Sequence, residues 1–77
     1  MAIEYLLVKF PDERDVLADG DPVGTTNHTI IIQGNEYIIT LSGDGYAPIN
    51  QDVVVAGTSI EQPKIVTFTA PGRRRTA

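Results

Sequence analysis

Apolar residues recur at every second position in six short segments of this 77-residue chain. Leu6, Val8 and Phe10 alternate within 3–10, and Val16 and Ala18 within 14–19. Ile30 and Ile32 do so within 29–33, and Tyr37, Ile39 and Leu41 within 36–42. Val53 and Val55 follow within 51–56, then Val66 and Phe68 within 64–70. A period of two marks one face of a β-strand, and β-branched and aromatic residues fill these segments. Gly, Pro, Asn and Asp separate them, and no window sustains a helical stripe. The pattern predicts an all-β fold: a single small antiparallel β-sandwich of about six or seven strands without substantial helix.

The joints between segments carry turn chemistry. Asp19-Gly20-Asp21-Pro22 reads as a turn, Gly43-Asp44-Gly45 loosens the chain after Leu41, and 56–63 forms a longer connection. Gly34-Asn35 reads as a two-residue hairpin of type II′, with Gly supplying the positive φ. In that hairpin Ile32 faces Tyr37, Ile31 faces Ile38 and Ile30 faces Ile39. Ile31 and Ile38 then point away from the core as a pair. Either Tyr5 or Leu7 covers them, or they form a contact face for another domain or a second copy. They are the candidate binding residues.

Composition narrows the partners. Ten acidic residues oppose six basic ones, a net charge of −4, and three of the six are Arg73, Arg74 and Arg75. Residues 1–72 therefore hold three basic residues against ten acids, or −7. Nucleic-acid binding needs Lys and Arg on the surface, so such a body argues against it. The domain is expected over 1–70, with 71–77 a flexible basic tail. The longest apolar runs are three residues, so no membrane span is expected. The start, MAIEYLLVKF, lacks the pattern of a signal peptide. This predicts a cytoplasmic chain as written, or an extracytoplasmic one if it is a fragment of a longer exported protein. There is no cysteine for disulfides or thiolate ligands.

Candidate chemistry is sparse. Asp19, Asp21 and Asp44 are possible hard-cation ligands, but the helical-loop calcium motif needs a Glu at its twelfth position, and counting from Asp19 that is Ile30. GDPVGTT has no P-loop lysine and precedes a strand pattern rather than a helix. His28 is the single histidine. It has no second His or Cys for zinc and no evident nucleophile to activate. Asn27-His28-Thr29 matches a glycosylation acceptor, which matters only in a eukaryotic secretory setting. The reading assigns no catalytic residue, no metal site and no cofactor. It leaves a protein partner or self-association.

One longer pattern remains. Val16, Ala18, Asp19, Gly20, Val23, Gly24, Thr25 and Thr26 are followed by Ile30, Ile32, Gly34, Tyr37, Ile39, Leu41, Gly45 and Tyr46. In order and spacing this run resembles the PEGA domain, over roughly residues 14–69. Where that family usually has Pro after its Gly-x-Thr run, this chain has Asn27. The resemblance implies a small sandwich similar to prealbumin-like and carboxypeptidase regulatory-like domains. It also implies an accessory module on bacterial or archaeal surface proteins, a binding or spacer unit with no catalytic residues. In that setting DGDP turns the chain between two strands, Val23 tucks inward, and Gly24 lets the backbone pass close.

Overall fold

The structure, a computed structural model, describes residues 2–71. Seven strands form two sheets: β1 (Ile3–Lys9), β2 (Asp15–Ala18), β3 (Asp21–Thr25), β4 (Thr29–Gln33), β5 (Asn35–Leu41), β6 (Gln51–Val55) and β7 (Lys64–Thr67). One sheet has the order β4-β1-β7, the other β3-β2-β5-β6. The fold is the all-β sandwich that the alternation predicts. All pairs are antiparallel except β1–β7, which run parallel. The tail Arg73–Arg75 lies outside the described residues.

The core follows the alternation closely. Leu6, Val8, Phe10, Val16, Ala18, Ile30, Ile32, Ile39, Leu41, Val55, Val66 and Phe68 are buried in one cluster, with Val23, Tyr37, Tyr46 and Val53 packed partly against it. Every inward residue removed from water adds about 25 cal/mol per Å² of apolar area. A chain of this size buries only about 60–65 % of its unfolded surface, so each inward position matters. At one end Tyr46 stands edge-on to both Phe68 (5.4 Å between ring centres) and Phe10 (6.4 Å).

Two expectations need correction. The predicted β4–β5 hairpin does not form. β4 pairs with β1, whereas β5 pairs with β2 and β6 in the other sheet. Gly34 is instead the single residue that crosses between the sheets, with Asn35 already paired in β5, and Gly34 is not among the residues with positive φ. Its lack of a side chain serves a close passage. A Cβ there would lie 3.1 Å from the Glu4 side chain and 3.3 Å from the Val55 carbonyl oxygen. Both strands can then point their alternate isoleucines into one interior from opposite sides. Second, the chain has a strand, β3, where the sequence shows mainly turn residues. Pro22 and Gly24 hide it, and both are tolerable because β3 is an edge strand paired only with β2.

Candidate functional site

The acidic turn builds architecture. Asp19 (φ 52°) and Gly20 (φ 88°) are the two central residues between the paired Ala18 and Asp21. Positive φ at both is the geometry of a type I′ hairpin turn, whose favoured dipeptides include Asp-Gly. Asp19 also clips this turn onto β5: its N–H donates to the Ile38 carbonyl and its Oδ1 accepts from the Ile38 N–H, both at 2.9 Å. Asp44 sits at the opposite end of β2, where Arg14 Nη1 donates to the carbonyls of Ser42 (2.7 Å) and Asp44 (2.9 Å). The Arg14 guanidinium also lies 5.1 Å from the Phe10 ring centre, within cation–π range. Asp19 and Asp44 thus do not converge, and no cluster of three metal-binding side chains occurs among the described residues.

The Thr25-Thr26-Asn27 segment ties down the chain between β1 and β2. Thr26 is fully buried. Its Oγ1 accepts from the Arg14 N–H (2.9 Å) and donates to the Asp12 carbonyl (2.7 Å). Asn27 sits at φ 67° and acts as a strand substitute for Phe10: Oδ1 accepts from its N–H and Nδ2 donates to its carbonyl. The Asn27 N–H donates to the Val8 carbonyl at 2.7 Å. Proline could supply neither that φ nor that N–H. Gly24 is needed beside them, because a Cβ would come within 2.6 Å of the Ile30 side chain. His28 Nε2 lies 3.0 Å from Glu13 Oε2, with both side chains about two-thirds exposed. Such an exposed pair contributes little.

Two carboxyl groups have shifted acidity, in opposite directions. Glu4 is buried on β1 and receives hydrogen bonds from the Thr58 hydroxyl (2.5 Å) and the Thr58 N–H (2.8 Å), which hold its carboxyl below the usual 4.5. Thr58 Oγ1 in turn accepts from the Tyr5 N–H at 2.7 Å, fastening the long β6–β7 connection to β1. Glu36 is raised, first by its hydrogen bond to Asp52 and then by the charges of Asp52 and Asp19. The burial of Thr26 is not signalled by periodicity. Glu4 fits the inward parity of β1, and only an acid at an inward position hints that a donor waits there.

Ile31 and Ile38 are both exposed, at 67 % and 47 %, but on opposite outer faces of the sandwich. Ile31 faces Tyr5 across the β1–β4 pair, and Ile38 faces Asp52 across β5–β6. They do not form one stripe. On the three-stranded sheet the outward apolar residues are instead Ile3, Tyr5 and Leu7 of β1, Ile31 of β4 and Ile65 of β7. Leu7 stands directly beside Ile65. These five apolar residues, which the six-segment alternation leaves pointing outward, make one continuous band.

Comparison with protein families decides the identity of this frame. A family model for the PEGA domain matches residues 10–68, well over half of the chain. The chain belongs to the PEGA domain family. Comparison with curated proteins and with solved structures gave no match. The PEGA match is compatible with a non-catalytic accessory module. It also agrees with the placement of the motif residues. In this PEGA domain the Asp19-Gly20 turn, half-buried Val23 and the close pass at Gly24 stand where the resemblance puts them. No helix of the described residues is long and apolar enough to cross a membrane.

Proposed function

We propose that this PEGA domain is a non-catalytic accessory module of a bacterial or archaeal surface-type protein, a binding or spacer unit that engages a protein partner through its β-surface. The observation that carries the reading is the division of labour among side chains. The polar residues that look chemical, Asp19, Arg14, Thr26, Asn27 and Glu4, are bonded to the backbone of neighbouring segments. The outward apolar band of the three-stranded sheet has no such internal use. Contiguous exposed apolar surface marks contact sites, whereas scattered apolar residues do not.

The test is affinity capture from extracts of the source cell with the wild-type domain, an L7K/I65K variant and an I38K variant. A protein retained by wild type and I38K but lost with L7K/I65K supports the reading. Retention that ignores all three sequences, or no retained protein, overturns it.

A further inference from the structure

A sandwich with two open sheets has four free edges, and three of them here are guarded. β3 begins with Asp21-Pro22 and has a register shift against β2. β6 carries Asp52, already crowded by Glu36. β7 carries Lys64, and its outer side is occupied: Gln51 Nε2 donates to the Thr67 carbonyl (2.8 Å), and Thr69 exchanges two 2.9 Å bonds with Ala47. Charges, prolines, irregular register and covering segments are the devices by which proteins prevent strand addition. β4, Thr-Ile-Ile-Ile-Gln, carries no charge, proline or register shift, and its unpaired side is met only at the Gln33 carbonyl, by the Tyr37 hydroxyl.

The hydrogen-bond phase of β4 is also defined. The Gly34 N–H donates to the Ala2 carbonyl at 2.9 Å, which makes Gly34–Ala2 a hydrogen-bonded pair. In an antiparallel ladder such pairs alternate. In the β1–β4 register Ile32 and Ile30 therefore bond to Glu4 and Leu6, and the N–H and C=O groups of Thr29, Ile31 and Gln33 point away from β1. All three residues are exposed. The Gln33 carbonyl also accepts from the Tyr37 hydroxyl at 2.7 Å, leaving its second lone pair for the edge.

We propose that β4 is a self-association edge on which a second copy of this chain adds its own β4 in antiparallel register, with Ile31 on the two-fold axis. This rests on the reading of the domain as an interaction module and adds to its outward face a second contact, at the edge of the same sheet. Three features select a second copy. The edge is self-complementary: outward groups on every second residue, centred on Ile31, match their own image, with Thr29 facing Gln33 of the other copy. The edge strand is neutral in a chain of net charge −4, so two like-charged copies can meet there without opposing carboxylates along the strand. Pairing also sets Ile31 beside its counterpart, joining the two outward apolar bands across one six-stranded sheet.

Sedimentation equilibrium over a concentration series tests this, with amide exchange at Ile31 as a second readout. The wild type is expected to dimerise as concentration rises, and the Ile31 amide to become protected in step. I31P removes an N–H that the monomer does not use, so it should keep the β-sheet spectrum and raise the dimer Kd at least about tenfold. I31K and I31E should each dissociate, and their equimolar mixture should recover a heterodimer. That mixture decides the matter even if I31P fails to fold. A wild type that stays monomeric at high micromolar concentration overturns the proposal. So does a dimer that survives I31P and I31K yet dissociates with I65K. A strict monomer that still retains a protein in the capture experiment sinks the edge alone and leaves the module reading standing.

Discussion

Both outer faces of the sandwich expose large apolar residues but arrange them differently. On the four-stranded sheet the two most exposed are each set against an acid: Ile38 faces Asp52, and Val54 faces Glu36. On the three-stranded sheet apolar residues face each other, Tyr5 against Ile31 and Leu7 against Ile65. Exposure alone does not separate the faces, since Val54 is as open as Ile3. Contiguity does. An apolar residue flanked by a carboxylate cannot join a dry contact without desolvating that charge, while a neighbouring pair of apolar residues can.

The largest expected effect separates the two sides of a single strand. Leu6 is fully buried and Leu7 faces outward. Leu6→Ala should cost about 2–5 kcal/mol, and Leu7→Ala about 1 kcal/mol or less, in urea unfolding. Equal losses would mean that the outward band is a second core. A smaller effect comes from Thr26→Val, which keeps the shape but leaves the Arg14 N–H without its partner and removes the donor to Asp12. It should cost about 1–3 kcal/mol.

The acidic face gives a pH signature opposed to that of the buried Glu4. Glu36 is raised above 4.5, so its ionisation opposes folding: the relief is complete below that value and disappears as pH rises through the folded pKa. Glu4 is lowered, so its contribution is present above 4.5 and is lost as pH falls through its folded pKa. E36Q should therefore melt higher than wild type at neutral pH, with the advantage vanishing on acidification. E4Q should melt lower at neutral pH, and that deficit should shrink on acidification below 4.5. Melting temperature against pH for both variants checks the signs. The smallest effect is that of Ile38→Lys, which puts a cation opposite Asp52. Its stability should change by within about 0.5 kcal/mol, measured by the same melts.

Alternation was enough to locate the core, because an inward position on any strand needs only its own parity. Pairing is a relation between segments, and there the sequence was ambiguous. Gly34-Asn35 has the chemistry of a tight hairpin, yet Gly34 bridges two sheets and Asn35 opens β5, which parity cannot tell apart because Ile30, Ile32, Ile39 and Leu41 face inward in either arrangement. The choice is made by long-range partners: β1 claims β4, and β2 claims β5. Ile31 and Ile38 were legible as outward residues for the same parity reason, and their separation onto different faces was not. β3 does not read as a strand in the sequence because propensity counts against Pro22 and Gly24, while an edge position tolerates both. The family resemblance supplied the inward Val23 and the close pass at Gly24, which parity alone did not.

The parallel pairing of β1 and β7 has a mechanical consequence. A tension that draws the start of β1 and the end of β7 apart acts along both strands, so the rungs from Leu6–Lys64 to Lys9–Thr67 are sheared together rather than unzipped in turn. Such a joint resists extension until its four rungs yield together.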